Sequence, residues 1–294
     1  MNAKDHIAII GAGTMGLDIA KLFLEQEHSV TLIDNFQESL NRAKKALDAY
    51  EQSGLLTLQD SIFFNRMPNI VIEAVPEIAE LKSSIFELLE QHVTANTILV
   101  SNTSGIPITK LAEALQHKER FLGMHFFMPA NVIPIVEVIK SSYTSNEASE
   151  YVYELLASVQ KMPVMVEKDV PGFIGNRIQH AMAREAISLL EHNIASAEDI
   201  DKVVQYALGI RLVLAGPLKQ RDLNGLDTHL NIATYLYKDL ENGDTPSPLL
   251  KEKVEQGLLG VKSGKGFYTW DEEALQQLAK QNRKLQALLA FLES

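Results

Sequence analysis

The sequence predicts an α/β protein in which a doubly wound sheet is followed by a mostly α-helical C-terminal domain. In the first half of the chain, short apolar runs alternate with segments of helical spacing, and such runs are typical of strands buried on both faces. Beyond Pro171 these runs give way to apolar residues at helical spacing. The chain has 294 residues, 46% of them hydrophobic, which is enough for two domains of ordinary size.

The predicted strands fall in the first 170 residues. Four read as buried parallel strands: Ile7–Ile10, Val30–Ile33, Ile70–Ala74 and Thr97–Val100. Three further candidates are Phe121–Phe127, Val136–Lys140 and Val164–Glu167. A Pro/Gly break follows the last of them, and such breaks interrupt regular structure. We therefore expect residues 1–168 to form the sheet domain and residues 169–294 the helical domain.

The helical domain begins with a long amphipathic pattern. One face of this predicted helix carries Ile174, Ile178, Ala181, Met182 and Leu189. A second helix is indicated by Ser196 with Asp199 three residues later, a variant of the capping box. The segment Asp271–Ser294 reads as an exposed charged helix. Because a domain of this size cannot bury so many apolar helix faces alone, we expect a homodimer that forms through the C-terminal helices.

Composition excludes several classes of function. The formal net charge is −11 and no cluster of five Lys or Arg residues occurs, which argues against a nucleic-acid or acidic-membrane surface. Cysteine is absent, so disulfides, thiol nucleophiles and thiolate metal sites are excluded, and no H-E-x-x-H spacing indicates a metal. No run approaches the ~20 apolar residues of a membrane span, and the start, MNAKDHIAII, has too short an apolar run for a signal peptide. We expect a cytoplasmic protein.

A glycine-rich turn links the first strand to the first helix. Its sequence is Gly11-Ala12-Gly13-Thr14-Met15-Gly16, the G-x-G-x-x-G fingerprint of Rossmann-like dinucleotide-binding domains. Asp34 ends the second strand, where a carboxylate accepts hydrogen bonds from the adenosine ribose and repels a 2′-phosphate. A ligand-free turn and an FAD site share this fingerprint, but the strand, the helix and the terminal acid together favour NAD over both, and over NADP.

A dehydrogenase that uses NAD needs a base to take the hydroxyl proton, and histidine has a suitable pKa. His125 lies at the end of a predicted strand that follows the cofactor-binding strands, where ligand clefts open in such sheets. Twelve residues later, Glu137 is a lone carboxylate in an apolar strand and needs a buried partner, such as an imidazolium. The seven other histidines read as solvated or structural: His6, His28, His92, His117, His180, His192 and His229.

Several segments in order resemble the L-3-hydroxyacyl-CoA dehydrogenase family, from Ile7 to about Trp270. They are Val71-Ile72-Glu73-Ala74-Val75-Pro76-Glu77, Ser101-Asn102-Thr103-Ser104-Gly105, the His125 to Val138 stretch, Pro171-Gly172-Phe173-Ile174-Gly175-Asn176-Arg177 and Gly264-Lys265-Gly266-Phe267-Tyr268. The resemblance implies reversible NAD-dependent oxidation of a 3-hydroxyl and a place in fatty acid metabolism.

The resemblance also implies roles for individual residues. His125 and Glu137 would be the catalytic pair, and Ser104 and Asn176 would hydrogen-bond the substrate near its reacting oxygens. The nicotinamide half of the cofactor site would be lined by Glu77, Lys82 and Asn102. Each residue also has a structural interpretation: a turn residue for Ser104, a helix N-terminus for Asn176 and a structural ion pair for His125 with Glu137.

The substrate prediction is a 3-hydroxyacyl-CoA such as 3-hydroxybutyryl-CoA, because the His-Phe-Phe and Ser-Asn-Thr-Ser segments are written as acyl-CoA members write them. The chain departs from the acyl-CoA members in two places. Only Gln37–Glu51 reads as a helix before Ile70, which leaves little room for the helical hairpin that closes over CoA. Met128 replaces the usual Asn after His-Phe-Phe.

The segments that resemble the branch oxidising free hydroxy acids such as gulonate or carnitine are Ile133-Pro134-Ile135-Val136-Glu137, Leu208-Gly209-Ile210-Arg211 with Gly216-Pro217, and the extended tail. Arg211 offers a bidentate partner for a substrate carboxylate, or is a surface or interface arginine. An NAD-binding protein without turnover is a third alternative.

Overall fold

The computed structural model describes residues 4–292, and its first half is an eight-stranded sheet with the strand order β3-β2-β1-β4-β5-β6-β7-β8. The strands are β1 (His6–Ile10), β2 (Ser29–Ile33), β3 (Leu56–Gln59), β4 (Ile70–Glu73), β5 (Ile98–Ser101), β6 (Phe121–Phe126), β7 (Ile135–Lys140) and β8 (Met162–Val166). Neighbouring strands are parallel, except that β6 and β7 are antiparallel. The predicted doubly wound sheet is confirmed.

All seven predicted strands are present, with ends shifted by one or two residues. The prediction missed β3, which pairs with β2 at the edge of the sheet. Its four residues, Leu-Thr-Leu-Gln, include one buried side chain, Leu56. An edge strand this short carries no apolar run, so periodicity could not indicate it.

Helices cover both faces of the sheet. On β1, Ile7 and Ile9 belong to one apolar core and Ala8 and Ile10 to the other, because successive strand residues point to opposite faces. The helices of this part are α1 (Thr14–Glu25), α2 (Gln37–Gln52), α3 (Ala79–Glu90), α4 (Ile108–Ala112) and α5 (Asn146–Ser158). Helix α1 contributes Phe23 to the first core, and α3 contributes Phe86 to the second. The sheet is therefore buried on both faces, as its apolar strands require.

The chain divides into two compact units, one ending at Arg177 and the other beginning at Ile178. The division lies within the long helix α6 (Gly175–Glu191), nine residues beyond the predicted end of the sheet domain at residue 168.

The second unit is helical, as predicted. After α6 come α7 (Ala197–Val203), a π-helical segment (Val204–Gly209), α8 (Ile210–Leu214), α9 (Pro217–Asn224), α10 (Leu226–Leu236), α11 (Pro248–Glu255) and α12 (Glu272–Leu292). Ser196 caps α7 by accepting a hydrogen bond from the Asp199 amide, which confirms the predicted helix start, while the Asp199 carboxylate accepts the Ser196 hydroxyl. Helix α12 lies within the predicted Asp271–Ser294 segment, whose last two residues are outside the described part of the chain.

Hydrogen bonds between distant segments hold the second unit together. Arg184 donates to the Gly243 carbonyl, and Glu185 accepts from the Glu241 amide. The Tyr268 hydroxyl, in the Gly-Lys-Gly-Phe-Tyr motif, donates to Asp201 over 2.6 Å. None of the helices within residues 4–292 is long and apolar enough to cross a lipid bilayer.

Candidate active site

The glycine turn between β1 and α1 has the geometry that the fingerprint requires. Gly11 has φ +103°, and a Cβ there would lie 2.7 Å from the Ala74 carbonyl oxygen. A Cβ at Gly16 would lie 1.8 Å from the Gly11 carbonyl oxygen, so this position too admits only glycine. Around Gly13, by contrast, no atom lies within 4 Å of an added Cβ, which leaves space for a ligand to approach the backbone.

Helix α1 begins at Thr14, directly after Gly13, and no side chain caps it. Its first amide groups are therefore available to an anion, and the helix dipole favours one there. Met15 packs against the apolar core and fixes the start of the helix. The open space at Gly13 and this uncapped terminus fit the pyrophosphate of NAD.

Asp34 lies just beyond β2, as predicted, and is half-buried. One carboxylate oxygen accepts the Ala12 amide at 2.7 Å, and the other accepts the Phe36 amide at 2.8 Å. The carboxylate thus ties the glycine turn to the end of β2. Because each carboxylate oxygen has two lone pairs, Asp34 retains acceptor capacity for a ribose hydroxyl.

His125 and Glu137 form a buried pair on adjacent antiparallel strands. They are direct partners in the β6–β7 ladder, and His125 Nδ1 lies 2.8 Å from Glu137 Oε2. Both side chains are almost completely buried. The carboxylate accepts the Nδ1–H, and this assignment leaves Nε2 with its lone pair.

The second oxygen of Glu137 receives two backbone hydrogen bonds. Glu137 Oε1 accepts the amides of Ile174 and Gly175, each at 2.9 Å, at the start of α6. Burial alone would raise the pKa of Glu137, but the His125 hydrogen bond and these two amides hold its pKa below the usual value. Glu137 is therefore ionised at neutral pH and has a fixed orientation.

A strained turn aims these two amides at Glu137. Gly172 has φ +77° and Phe173 has φ +50°, and a bulky residue is rarely found in this left-handed region. Phe173 is buried, and its ring centroid lies 5.9 Å from that of His125. One turn therefore makes both contacts: the Phe173 ring packs against the imidazole, and the amides that follow it bind the carboxylate.

Phe127 covers the imidazole from another direction, with its ring centroid 4.6 Å from that of His125. The position of this ring depends on Gly175, because a Cβ there would lie 2.5 Å from the Phe127 ring. Gly175 therefore has two functions: its amide binds Glu137, and its missing side chain makes room for Phe127.

The loop between β6 and β7 is held by a buried lysine. Lys161 Nζ donates to the carbonyls of Ala130 at 2.6 Å and Ile133 at 2.9 Å. Burial lowers the pKa of Lys161, and the nearby Asp18 carboxylate opposes this effect. Since the loop joins His125 to Glu137, Lys161 fixes the connection between the two members of the pair.

Ser104 and Asn176 are brought together although 72 residues separate them. Asn176 Nδ2 donates to the Ser104 carbonyl oxygen over 2.6 Å, and the Ser104 side chain is exposed. Asn176 lies in the first turn of α6, beside the Gly175 amide that binds Glu137. The predicted substrate-binding pair therefore lies next to the anchor of the predicted catalytic pair.

Of the three residues predicted to line the nicotinamide half, Asn102 directly follows β5, Glu77 lies in the segment between β4 and α3, and Lys82 lies in α3. Asn102 Oδ1 accepts the Phe126 amide, next to His125. Glu77 Oε1 accepts the hydroxyl of Thr103 and the amides of Ser104 and Gly105. Burial favours a higher pKa for Glu77, but these hydrogen bonds and the Lys82 charge bring its pKa below the usual value.

Sequence reasoning missed a group of residues around this site. Lys82 was predicted, but not its buried partner Glu73, which lies 2.7 Å from Lys82 Nζ. The Ile174 and Gly175 amides were missed because backbone groups leave no signal in side-chain patterns. Phe127, Phe173 and Lys161 gave no signal either, since an apolar or a basic residue in a loop is common.

Arg211, the predicted carboxylate partner, lies in the helical unit on α8. Its Nε donates to the Ala207 carbonyl over 2.7 Å, and its side chain is exposed.

Two cavities are lined by residues away from His125. One, of about 470 Å³, lies between α2 and β3, and the other, of about 610 Å³, lies in the helical unit. Ligands of open α/β sheets bind in the crevice at the carboxyl ends of the strands, which is not an enclosed cavity. We therefore locate the candidate site from the hydrogen bonds around His125 and not from cavity volume.

Comparison with known proteins agrees with this geometry. Residues 6–61 and 56–170 match the profile of the 3-hydroxyacyl-CoA dehydrogenase NAD binding domain, and residues 172–270 match that of the C-terminal domain. A probable 3-hydroxybutyryl-CoA dehydrogenase of Deinococcus radiodurans is 37% identical over 89% of this chain and 99% of its own.

Solved structures that match nearly the whole of this chain are also similar. The crystal structure of 5-formyl-3-hydroxy-2-methylpyridine 4-carboxylic acid 5-dehydrogenase, described as an NAD⁺ dependent dismutase, superposes with a TM-score of 0.93 at 33% identity and covers 99% of both chains. A 3-hydroxyacyl-CoA dehydrogenase of Archaeoglobus fulgidus gives a TM-score of 0.73 at 31% identity, over 97% of this chain and 99% of its own.

Proposed function

The chain belongs to the 3-hydroxyacyl-CoA dehydrogenase family and is an NAD-dependent dehydrogenase, and from that premise we propose that His125 is the base that takes the hydroxyl proton of its substrate. The observation that carries this proposal is the buried hydrogen bond between His125 Nδ1 and Glu137 Oε2. It leaves Nε2 available as the proton acceptor.

Glu137 supports the proton transfer without taking the proton itself. When Nε2 gains the substrate proton, the imidazole becomes a cation beside an ionised carboxylate. The two amides of Ile174 and Gly175 keep that carboxylate in place, so no reorientation accompanies the step. NAD, when bound, supplies the acceptor for the hydride that leaves the substrate carbon bearing the hydroxyl.

Ser104 and Asn176 are proposed to hold the reacting oxygen. The hydrogen bond from Asn176 to the Ser104 carbonyl fixes their separation, and the exposed Ser104 hydroxyl is available to a ligand. Two polar groups that hold one oxygen restrict the direction in which the substrate carbon faces the cofactor.

For the substrate we propose a compact carboxylate that carries a hydroxyl or a hydrated aldehyde. The segment between β2 and β4 consists of α2 and the edge strand β3, which folds back onto the sheet and leaves no helical hairpin to close over CoA. The structure with the TM-score of 0.93 belongs to an enzyme named for a pyridine carboxylate with a formyl group. Arg211 is the proposed partner of the substrate carboxylate.

A second candidate is a 3-hydroxyacyl-CoA such as 3-hydroxybutyryl-CoA. It is favoured by the relative at 37% identity and by the His-Phe-Phe segment of β6 and its loop. This substrate would need a CoA-binding surface other than a hairpin.

One assay separates the candidates. NADH formation is followed with free 3-hydroxybutyrate, gulonate, carnitine and 3-hydroxybutyryl-CoA. With 5-formyl-3-hydroxy-2-methylpyridine 4-carboxylate, consumption of the aldehyde is followed instead, because a dismutation forms no net NADH. Each reaction is run beside a His125→Gln control. Turnover of a free acid that the control lacks supports the first proposal. Turnover of the CoA thioester alone establishes the second. Intact NADH binding with no turnover of any of these compounds would favour the third alternative, an NAD-binding protein that has no catalytic activity.

We also propose a homodimer that forms through the helical unit. Its helices expose large apolar side chains, among them Ile178, Met182, Leu218, Leu230 and Tyr235. Sedimentation velocity tests this: the chain is expected to sediment at twice its mass of 32.7 kDa, and a monomer at micromolar concentration would refute it.

A further inference from the structure

Three ionisable side chains meet at the carboxyl end of β4, and we call Glu73, Glu77 and Lys82 the β4 charge cluster. Lys82 Nζ lies 2.7 Å from Glu73 Oε1 and 3.3 Å from Glu77 Oε2, and it also donates to the Val75 carbonyl. The side chains of Glu73 and Lys82 are almost completely buried, and that of Glu77 is 44% exposed. A buried group with this many partners has a defined charge state.

Both carboxylates accept hydrogen bonds from several donors, the arrangement that suits two carboxylates with negative charge. Glu73 receives donors on both oxygens: Lys82 and the Val75 amide on Oε1, and the Ser101 hydroxyl on Oε2. Glu77 accepts three donors on Oε1 and faces Lys82 with Oε2. Lys82 has three oxygen acceptors for its three protons. Two carboxylates and one ammonium leave the cluster with a single net negative charge.

The cluster adjoins the dinucleotide turn. Glu73 pairs with Ile10 across β1 and β4, and the Ala74 carbonyl contacts Gly11 so closely that a Cβ would not fit. Strands β2 and β4 flank β1 in the sheet, and Asp34, the predicted partner of the adenosine ribose, lies at the end of β2. The nicotinamide end of NAD must then extend to the other side, over β4 and β5. The cluster therefore lies on the side where the nicotinamide end of the cofactor is expected, and the nicotinamide is the part whose charge changes in the reaction.

The nicotinamide ring is cationic in NAD⁺ and neutral in NADH, whereas the rest of the cofactor has the same charge in both. We propose that the β4 charge cluster sets the relative affinity of this protein for the two forms, and that its net negative charge favours NAD⁺. A fixed charge in a poorly solvated position acts equally on the diphosphate of both forms, but it attracts the ring of NAD⁺ only, so it changes the ratio of the two dissociation constants in addition to any common change in affinity. The proposal rests on NAD binding and not on the identity of the substrate.

The test measures dissociation constants without substrate: that of NADH by its fluorescence, and that of NAD⁺ by competition with NADH. Glu73→Gln keeps the shape of the side chain and makes the cluster neutral. We expect the ratio of the NAD⁺ constant to the NADH constant to rise about fivefold, the order of effect expected when one partly screened unit charge near the ring is removed.

A second variant restores the charge without restoring the ion pair. In the Glu73→Gln/Lys82→Gln double variant, Glu77 alone carries the cluster charge, which is again one negative unit. The ratio is expected to return to within about twofold of the wild-type value, even if both affinities fall. A ratio that stays shifted in the double variant would mean that broken packing, not charge, caused the change.

Glu77→Gln provides an independent variant, because Glu77 is partly exposed and its replacement disturbs the fold less. It also neutralises the cluster and must raise the ratio. Glu90→Gln is the matched control: Glu90 ends the same helix α3 and pairs with Arg120. An unchanged ratio in both Glu73→Gln and Glu77→Gln, or an equal shift in Glu90→Gln, overturns the proposal.

Discussion

His125 and Glu137 face each other directly across the β6–β7 ladder, with Nδ1 and Oε2 2.8 Å apart. The antiparallel register alone places their Cβ atoms side by side on one face of the sheet. The turn at Gly172 and Phe173 then supplies two amides to the far oxygen of Glu137. The orientation of the imidazole is therefore set by three segments that are distant in the sequence.

His125→Gln should lower kcat about a thousandfold or more, because it removes the proposed proton acceptor. The dissociation constant of NADH should change little, since the glycine turn and Asp34 are untouched. Stopped-flow absorbance measures kcat, and NADH fluorescence measures binding. His92→Gln, at an exposed position, is the control and should behave as wild type. Near-normal turnover in His125→Gln would exclude His125 as the base.

Glu137→Gln should shift the pH dependence of catalysis. The ionised carboxylate stabilises the protonated imidazole, so its loss lets the base remain neutral at lower pH. We expect the acid limb of the kcat/KM profile to move about one pH unit lower, while the maximum falls. A reduced maximum with an unmoved limb would assign Glu137 a structural role only.

Unfolding of the same variant gives a second readout. The pKa of Glu137 is lowered in the folded state, so its stabilising contribution is complete above the unfolded value of about 4.3 and is lost as pH falls through the folded value. The difference in unfolding free energy between wild type and Glu137→Gln should thus be constant near neutral pH and shrink below about pH 4. A difference that grows on acidification would contradict this sign.

Gly175→Ala should damage the site through Phe127. The added Cβ would lie 2.5 Å from the ring, so either the ring or the start of α6 must move. We expect a loss of about 1–3 kcal/mol in unfolding free energy, together with reduced kcat. Gly216→Ala is a control for the loss of glycine without a steric clash, because no atom lies within 4 Å of its added Cβ, although as the N-cap of α9 it loses some stability of its own. Urea unfolding compares each variant with wild type, and an unchanged unfolding free energy in Gly175→Ala would show that the site relaxes without cost.

Lys161→Met should loosen the loop that joins His125 to Glu137. The buried Ala130 carbonyl and the partly buried Ile133 carbonyl lose their donor, which costs about 2–4 kcal/mol in unfolding free energy. We expect kcat to fall as well, with an unchanged dissociation constant for NADH. Lys168→Met, at an exposed position, serves as the matched variant. If Lys161→Met loses stability but keeps its kcat, the loop does not position the pair.

Asp34→Ser should weaken the preference for NAD over NADP. The variant removes the charge that is predicted to repel a 2′-phosphate and the predicted acceptor for the ribose hydroxyls. The ratio of kcat/KM for the two cofactors should fall about tenfold, as expected for one charge-assisted hydrogen bond. Asp60→Ser, at the end of the neighbouring strand β3, controls for general charge. Unaltered selectivity would remove Asp34 from the ribose site.

Much of the fold could be predicted because strands that are buried on both faces consist of short runs of apolar residues, which are visible in the sequence. The edge strand β3 could not, since one of its four side chains is buried. His125 and Glu137 were recognisable as a histidine at a strand end and a lone carboxylate in an apolar strand. Glu73 escaped notice although it is equally buried, because its partner Lys82 lies nine residues away in a helix, where a lysine is unremarkable.

Helix α6 begins within the sheet unit and continues into the helical one. Its first turn holds Glu137 through Gly175 and Ser104 through Asn176. A cofactor module cut at residue 168 would keep the dinucleotide turn but lose both anchors. In a chimaera that joins this sheet unit to the helical domain of another protein, both anchors are kept only when the junction falls after Arg177. The first turn of α6 then comes from the same chain as the sheet.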